Sequence, residues 1–281
     1  MQVLRSPAEL SEWSETARRQ GRRVGLVPTM GFLHRGHTSL MEASRARADL
    51  SAVSVFVNPT QFGPNEDLAR YPRDLEGDLQ KCREARMDAV FVPEAGAMYP
   101  PGHRTFVEVT QLQDSLCGAR RPGHFRGVAT VVTQLFALAR PHLAVFGEKD
   151  FQQLQIIRRL SVDLHLGVEV VGMPIVREPD GLAMSSRNAY LSATERPRAL
   201  ALSRGLGAAR ARWAAGERAG EVLRDAVRAE LRAGDVREDY VELVDPSTLE
   251  PLPRAERSDA RLLVAGFVGK TRLIDNTAIG R

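Results

Sequence analysis

The chain has 281 residues, of which 43% are hydrophobic and 26% charged, and its formal net charge at pH 7 is +4. That length and hydrophobic content predict a globular protein with room for one large α/β domain and a smaller one, and the small basic excess supports anionic ligands only weakly. The sequence has no run of about 18 apolar residues and no basic start followed by an apolar segment, which predicts a soluble cytoplasmic protein without a membrane partner.

The cysteines and lysines are few. Cys82 and Cys117 are widely separated, which argues against a disulfide framework or a structural zinc site and fits a reducing compartment. Cys82 lies in a helical pattern and is predicted to be a core residue. The other basic residues are arginines, since the lysines are Lys81, Lys149 and Lys270.

Short apolar runs alternate with helical patterns through the first two thirds of the chain, which is typical of a parallel sheet with crossover helices. The predicted strands are RVGLVPT (23–29), LSAVSVFVN (50–58), DAVFVP (88–93), TFVEV (105–109), HLAVFGE (142–148) and VEVVGMPIV (168–176). The predicted helices cover about residues 36–48, 72–87, 125–140 and 150–165. This pattern predicts an α/β fold with a doubly wound, Rossmann-like parallel sheet domain over residues 1–176.

The remainder, residues 177–281, is predicted to form a smaller α+β domain. An Ala-, Arg- and Glu-rich stretch has the spacing of two helices that are broken near Ala215-Gly216, and its interleaved acidic residues favour a solvated face over a nucleic-acid arm. Three strands of a small antiparallel sheet are then predicted: EDYVELVDP (238–246), ARLLVAGFVG (260–269) and KTRLIDN (270–276).

The first predicted strand runs into the junction MGFLHRGH, residues 30–37, at the start of a helix. In open α/β sheets ligands bind beyond the carboxyl ends of the strands, where a helix N-terminus offers unpaired amides. Gly31 and Gly36 permit close backbone approach, and His34 and His37 could donate hydrogen bonds to phosphate oxygens. A metal site would need further ligands that no spacing supplies, so phosphate binding and an ordinary structural role are the main alternatives here.

A polar loop after the last predicted parallel strand favours the phosphate interpretation. It contains Ser185, Ser186 and Arg187, whose hydroxyls and guanidinium suit a polyphosphate, and Gly181 permits a turn before it. Alone, such a loop is more often a helix cap or a turn. Together with a His-x-Gly-His junction in a parallel α/β fold it is a more specific signal.

These two elements resemble signatures of the nucleotidylyltransferase superfamily. In finer detail the chain is similar to the pantothenate synthetase family, and the similarity spans nearly its whole length. The segments that carry it are PTMGFLHRGHTSLM, VFVNPTQFGPNEDLARYPR, RPGHFRGVATVV, FGEKDFQQLQIIRRL, VREPDGLAMSSRNAYLS and FVGKTRLIDN.

The resemblance implies ATP-dependent condensation of (R)-pantoate with β-alanine to pantothenate, AMP and pyrophosphate through a pantoyl adenylate. It also implies a cytoplasmic homodimer, Mg²⁺ accompanying ATP, and a C-terminal domain that acts as a lid. His37, His34 and Lys149 take the catalytic roles, with His37 the usual proton donor. The implied ATP-binding residues are Met30, Gly31, Phe32, Leu33, His34, Arg35, Gly36, His37, Gly147, Glu148, Lys149, Asp150, Val176, Met184, Ser185, Ser186 and Arg187.

By the same resemblance Gln61 and Gln153 bind pantoate, and Gln61 also binds β-alanine. An amide suits such a substrate because it both donates and accepts hydrogen bonds. Asn58 is expected to shape this pocket. Asp150 could equally cap the following helix.

Other residues of the resembling segments are less sharply assigned. The segment that includes Tyr71, Arg73 and Asp78 flanks the active site in the family. Acidic residues nearby could assist a Mg²⁺ that is held chiefly by ATP phosphates, so no metal ligand is named. Arg120 and Arg121 could meet substrate or form a surface or dimer contact.

Three residues beside the histidines depart from the family pattern: Phe32, Arg35 and Thr38 stand where Ala, Glu and Leu are more usual. These departures bear on helix packing more than on the histidines themselves.

Three other functions fit the sequence less well. A nucleotidylyltransferase for a phosphate-bearing substrate should lack the paired glutamines. A class I aminoacyl-tRNA synthetase would need an anticodon-binding domain that does not fit in the remaining length. An RNA-binding protein is disfavoured by scattered charge and by an aromatic content of only 6%.

Overall fold

The computed structural model describes residues 1–64 and 66–280, and it divides the chain into two compact units. The first unit consists of Met1–Asp114, Gly118–Glu148 and Gln153–Pro174. The second consists of Ser115–Cys117, Lys149–Gln152 and Ile175–Arg281, of which Arg281 lies outside the described residues. Two short segments from earlier in the chain therefore belong to the second unit.

The first unit is built on a six-stranded sheet in which each pairing is parallel. Its strands are β1 (Gln2–Leu4), β2 (Val24–Thr29), β3 (Leu50–Val55), β4 (Ala89–Phe91), β5 (Leu143–Gly147) and β6 (Glu169–Met173), in the order β1-β4-β3-β2-β5-β6. The direction of strand order changes at β2, which pairs with β3 on one side and β5 on the other. The predicted doubly wound parallel fold is confirmed.

Helices follow the strands of this sheet. They are α1 (Pro7–Arg19), α2 (Arg35–Arg45), α3 (Leu75–Glu84), α4 (Ala95–Met98), α5 (Leu116–Arg120), α6 (His124–Ala139) and α7 (Phe151–Asp163), with α5 and α7 divided between the two units. The apolar patterning did not predict α1, although Ser6 caps it: its hydroxyl accepts a hydrogen bond from the Glu9 N–H at 3.3 Å.

The predicted strand TFVEV (105–109) is wrong, because this segment pairs with no strand among the described residues. Two of its backbone N–H groups bind side chains instead. The Val107 N–H donates to Thr130 Oγ1 at 3.0 Å, and the Val109 N–H donates to Gln113 Oε1 at 3.2 Å. An alternating apolar pattern fits any half-buried extended chain, so it does not by itself specify a sheet partner.

Between the sheet and α2 and α3 lies a core that includes Val27, Met41 and Leu143. Cys82 is fully buried in this core, as predicted, and burial raises the pKa of its thiol to about 12. A thiol with that pKa stays protonated at neutral pH, so Cys82 contributes packing and not reactivity.

The second unit packs helices on a three-stranded antiparallel sheet. The helices are α8 (Glu195–Ala199), α9 (Ala201–Ala214) and α10 (Gly220–Ala233), and the strands are β7 (Arg237–Val244), β8 (Arg261–Val268) and β9 (Thr271–Ala278). The longer helices, α9 and α10, flank the predicted break at Ala215-Gly216, and the three predicted strands are present. In the described part of the chain, no helix combines the length and apolar character needed to cross a membrane.

Candidate active site

The junction of residues 30–37 leaves β2 at the carboxyl edge of the parallel sheet and enters α2. Gly147 and Glu148 leave the same edge from the neighbouring strand β5. Strand order reverses at this pair of strands, and such a switch point is where open α/β sheets bind ligands. Within the first unit, these two groups of predicted ATP-binding residues therefore lie at adjacent strand ends.

His34 and His37 form a reciprocal cap on α2. The Gly36 N–H donates to Nδ1 of His34 at 3.1 Å, and the His34 N–H donates to Nδ1 of His37 at 3.2 Å. The two rings lie with centroids 4.0 Å apart and planes inclined by 34°. The expectation of unpaired amides at this helix N-terminus is thus wrong for Gly36, since an imidazole already accepts its N–H.

The cap fixes the tautomer of both rings, which the sequence could not. Because each Nδ1 accepts a backbone hydrogen bond, the proton of each neutral imidazole lies on Nε2. Both Nε2 atoms are consequently N–H donors. The junction offers two imidazole donors at the positive end of a helix dipole, an arrangement suited to phosphate oxygens.

Asp78 of α3 binds the backbone of the junction. It is 1% exposed, and its carboxylate accepts hydrogen bonds from the Phe32 N–H at 2.8 Å and the Leu33 N–H at 2.6 Å. Burial raises the pKa of Asp78, although these two hydrogen bonds act in the opposite direction. Each oxygen of Asp78 accepts one backbone hydrogen bond, and the assistance of acidic residues near Tyr71 to Mg²⁺ stays a prediction.

Asn58, which follows β3, forms hydrogen bonds that hold the segment 58–61 with Gln61. It is 1% exposed, and its amide group donates to Gln61 Oε1 at 3.0 Å and to the Gly127 carbonyl at 3.1 Å. Its Oδ1 accepts hydrogen bonds from Thr60 Oγ1 at 2.9 Å and from the Tyr99 hydroxyl at 2.8 Å. These contacts orient the Gln61 side chain, with the amide oxygen toward Asn58.

The other end of the Gln61 amide reaches the junction, because Nε2 lies 3.1 Å from Sδ of Met30. A thioether is a weak acceptor. A predicted ATP-binding residue and the predicted pantoate-binding glutamine are therefore in contact, and the amide group can exchange this weak bond for a stronger oxygen acceptor.

The main chain of Gln61 is held by a second set of side chains. Arg121 makes an ion pair with Glu66 at 2.5 Å and lies 3.0 Å from Nε2 of His124. Since a guanidinium only donates, that Nε2 accepts, and Nδ1 carries the proton that His124 donates to the Gln61 carbonyl at 2.9 Å. Arg121, whose role the sequence left open, thus takes part in an intramolecular contact.

The ion pair between Arg121 and Glu66 should stabilise the fold less in acid than at neutral pH. Burial raises the pKa of Glu66. The hydrogen bond from Arg121, the charge of Arg121 and the nearby His124 outweigh burial and hold this pKa below its usual value. A depressed carboxyl pKa stabilises the fold above the unfolded pKa, and the effect is lost as pH falls through the folded pKa. We expect Glu66→Gln to lower the free energy of unfolding by ~1–2 kcal/mol at pH 7. The loss should be smaller below about pH 4.5, and urea titrations at both pH values measure it.

Glu108→Gln is the matched control, because its ion pair with Arg126 is more exposed, at 52% and 46% of the two side chains. Exposed pairs contribute little, so this variant should change the free energy of unfolding by less than ~0.5 kcal/mol at either pH. Equal losses in both variants would show that the Glu66 contact has no special weight.

The adjacent glutamines of α7 differ in their surroundings. Gln152, described with the second unit, accepts a hydrogen bond from the Cys117 N–H at 3.0 Å and donates to the Ser115 carbonyl at 2.8 Å. Gln153, described with the first unit, is half-buried. Gln152 therefore holds the 115–117 segment, while Gln153 remains the predicted substrate residue.

In the second unit, the predicted adenine-side residues Val176 and Met184 are joined directly. The Met184 N–H donates to the Val176 carbonyl at 3.0 Å, and Arg177 forms an antiparallel bridge with Ala183. The turn is closed at Gly181, whose φ of 94° is in the region that favours glycine. The sequence prediction of a turn at Gly181 is confirmed.

Polar contacts anchor the loop that follows this turn. Nδ2 of Asn188 donates to Glu178 at 2.7 Å, and Arg196 donates to the same carboxylate at 2.5 Å. Ser185 caps the short 3₁₀ segment Ser186–Tyr190 by accepting from the Arg187 N–H at 3.3 Å. The loop is thus anchored by the side chains of Asn188 and Ser185.

Lys149 and Asp150 belong to the second unit. The carbonyl of Lys149 accepts a hydrogen bond at 2.9 Å from Nδ2 of Asn276 on β9, and Arg261 donates to Oδ1 of Asn276 at 2.7 Å. The lysine backbone is therefore attached to the small sheet.

The sequence did not foresee the roles of Asp78, Glu66 and His124. A buried acidic residue opposite a Gly-rich junction has no local signal, and Glu66 and Arg121 are 55 residues apart. No group of three or more His, Cys, Asp or Glu side chains that could hold a metal ion occurs within residues 1–64 and 66–280.

Comparison with known proteins gives one consistent family. The family model described as pantoate-beta-alanine ligase matches residues 2–278. The chain is 63% identical to a pantothenate synthetase of Myxococcus xanthus over 280 residues, which cover 99% of this chain and 96% of the relative. It is 58% identical to a pantothenate synthetase of Anaeromyxobacter dehalogenans, with 98% and 97% covered.

Two solved structures are also similar. A pantothenate synthetase from Thermus thermophilus has 47% identity and a TM-score of 0.94, with 100% of both chains covered. A pantoate-beta-alanine ligase from Francisella tularensis, solved in complex with β,γ-ATP and β-alanine, has 30% identity and a TM-score of 0.82, covering 100% of this chain and 98% of that one.

Proposed function

Since the chain belongs to the pantoate-beta-alanine ligase family and condenses pantoate with β-alanine at the expense of ATP, we propose that it does so through a pantoyl adenylate formed at residues 30–37. The observation that carries this proposal is the reciprocal cap of His34 and His37. Because of this cap, both rings carry an Nε2–H donor at the carboxyl edge of the sheet. These donors suit the charge that develops on a phosphate.

Activation of pantoate is needed because a carboxylate does not react with an amine at neutral pH. In the first step a pantoate carboxylate oxygen attacks the α-phosphorus of ATP, and the bond to the bridging oxygen breaks so that pyrophosphate leaves. In the second step the amine of β-alanine attacks the acyl carbon, and AMP leaves with the original carboxylate oxygen.

His34 and His37 stabilise the charge that builds on the α-phosphate. A preorganised donor of this kind contributes about 10²- to 10³-fold to the rate. His37 is the residue that the family resemblance gives the proton-donor role, and its Nε2–H is the atom that can perform it. His34 acts beside it as a second donor.

The family resemblance also implies phosphate-binding roles for residues that belong to the second unit. Lys149 supplies a mobile positive charge, and Ser185, Ser186 and Arg187 bind the departing pyrophosphate. Val176 and Met184 contact adenine. The support for these roles is the family resemblance together with the anchored loop and turn described above.

Pantoate is bound by Gln61 and Gln153. Asn58 holds the Gln61 oxygen, so Nε2 is the group that turns to a substrate carboxylate or hydroxyl in exchange for the Met30 sulfur. Gln61 also contacts β-alanine. His124 is not the base for the amine, because its Nε2 accepts from Arg121 and its Nδ1 donates to a carbonyl; we propose that the amine enters neutral or loses its proton to AMP or water.

ATP enters as its Mg²⁺ complex. This ion keeps several waters and takes few protein ligands, so the ATP phosphates are its proposed ligands and no protein cluster is required. As the resemblance implies, the enzyme works as a homodimer in the cytoplasm. Its mass in solution should be twice the 31.0 kDa of the chain.

Oxygen labelling tests the intermediate. Pantoate with ¹⁸O in its carboxylate should yield AMP that carries one ¹⁸O from each labelled molecule consumed, as mass spectrometry of the purified nucleotide would show. Label retained in pantothenate and absent from AMP would contradict an acyl adenylate, as would formation of ADP and labelled phosphate.

A further inference from the structure

The junction contains backbone that a free chain would disfavour. Gly31 has φ of 81°, and Phe32, which has a side chain, has φ of 50°. The left-handed region costs roughly 1–2 kcal/mol for an ordinary L-residue. Some contact must hold Phe32 in this conformation.

Asp78 supplies that contact. Its two carboxylate oxygens accept from consecutive amides, those of Phe32 and Leu33, at 2.8 and 2.6 Å. Successive N–H groups around one anion require the backbone to curl as it does at this point. The carboxylate therefore selects the positive φ of Phe32.

The space around Gly31 shows how closely the carboxylate and the junction are fitted. A Cβ at Gly31 would lie 2.9 Å from Oδ2 of Asp78 and 3.0 Å from Cγ1 of Val55. An alanine there would displace the carboxylate in addition to adopting an unfavourable φ. Gly31 is consequently required by Asp78 and not only by a ligand.

The hydrogen bonds continue from Asp78 to the histidines without a gap in the chain. Leu33, whose N–H is fixed by Asp78, directly precedes His34, and the His34 N–H donates to Nδ1 of His37. If the 32–33 turn relaxes, the His34 N–H turns with it. Nδ1 of His37 then loses the donor that keeps its proton on Nε2.

We infer that Asp78 is a positioning residue for adenylation: by binding the Phe32 and Leu33 amides it fixes the His34 N–H and, through that N–H, the tautomer and direction of the His37 imidazole. This inference rests on the proposed function only for its effect on rate. It requires a carboxylate, because asparagine offers one oxygen and would direct its NH₂ group at the second N–H.

The charged groups near Asp78 do not replace these amides. Lys81 and Asp74 flank Asp78 in sequence. The charge of Lys81 lowers the pKa of Asp78 and the charge of Asp74 raises it. Lys81 Nζ donates to the Gly77 carbonyl at 3.3 Å, and Oδ1 of Asp74 accepts from the Gly77 N–H at 3.0 Å. Asp74 is thus a helix cap that does not contact the junction through these bonds, which makes it a suitable control.

The test combines activity with imidazole NMR in Asp78→Asn. We expect the rate of pantoate-dependent pyrophosphate exchange to fall ~10- to 100-fold, the loss associated with an unsatisfied hydrogen bond to a charged group. Nitrogen-15 spectra of the imidazoles should show Nε2–H for His34 and His37 in the wild type, and a mixture of tautomers for His37 in the variant. Asp74→Ala should retain the exchange rate and both tautomers while losing some helix stability.

A backbone change tests the same bond if Asp78→Asn does not fold. Incorporating the α-hydroxy analogue of leucine at position 33 removes one N–H and leaves all side chains in place, and it should give the same change of tautomer. Unchanged tautomers in a folded Asp78→Asn protein or in this ester variant would overturn the inference. Tautomers are measured without turnover, so this result is distinct from failure of wild-type exchange, which would instead overturn the proposed function.

Discussion

Replacing His37 by asparagine is expected to lower the rate of adenylation ~10²- to 10³-fold while leaving the stability of the protein nearly unchanged, since one transition-state donor is lost. Oδ1 of asparagine occupies the position of Nδ1, so it can still accept the His34 N–H that now binds the imidazole at 3.2 Å. Nothing in the shorter side chain replaces the Nε2–H.

Comparison with His37→Ala separates the two roles of the ring. Alanine removes both the donor and the acceptor, so this variant should lose the same activity and also ~1 kcal/mol of stability, because the His34 N–H loses its partner. Rates are measured by pyrophosphate exchange and stabilities by urea unfolding. If His37→Asn kept the wild-type exchange rate, the Nε2–H would not be a transition-state donor.

The second step offers a further check on His37. Pantoyl adenylate supplied as a purified compound should react with β-alanine at the wild-type rate in His37→Asn, because that step does not use the donor. A lost second step with intact adenylation would reverse the assignment.

Asn58→Asp is expected to destabilise the first unit strongly. The new carboxylate would direct an oxygen at Gln61 Oε1 and the Gly127 carbonyl, which now accept hydrogen bonds at 3.0 and 3.1 Å. Asn58 is 1% exposed, so the charge would also be buried. We expect a loss of ~3–5 kcal/mol in the free energy of unfolding at pH 7, and weaker pantoate binding because Gln61 is no longer oriented.

The pH dependence distinguishes this mechanism from simple loss of packing. A buried carboxyl resists ionisation, and its protonated form can again donate one hydrogen bond, so the stability deficit should shrink as pH falls toward about 5. Thr60→Val, which removes one hydroxyl bound to Oδ1 of Asn58, is the control and should cost ~1 kcal/mol at either pH. A deficit in Asn58→Asp that is independent of pH would contradict the account of the buried charge.

The fold was largely predictable because its signals are local. Each strand from β2 to β6 lies in a short apolar run, and the break between α9 and α10 is marked by Ala215-Gly216. The capping sequence that begins at Ser6 was also present and would have predicted α1. The strand prediction for residues 105–109 was wrong because a strand needs a partner strand. Two N–H groups of this segment bind the side chains of Thr130 and Gln113 instead.

The sequence predicted candidate site residues, whose roles stay predictions, and did not predict the contacts between them. His34 and His37 are three residues apart on one helix turn, so their proximity follows from the sequence. Their tautomers depend on backbone donors that only the three-dimensional structure reveals. Asp78 and Phe32 are 46 residues apart, and Asn58 and Gly127 are 69 apart, so nothing in a local pattern connects either pair.

Exchange of labelled pyrophosphate into ATP, with β-alanine omitted, tests the adenylation site most directly. We expect exchange with pantoate and Mg²⁺ alone, no exchange without pantoate, and accumulation of AMP only when β-alanine is also present. Absence of pantoate-dependent exchange, while a different acceptor supports pyrophosphate release, would contradict adenylation of pantoate at His34 and His37.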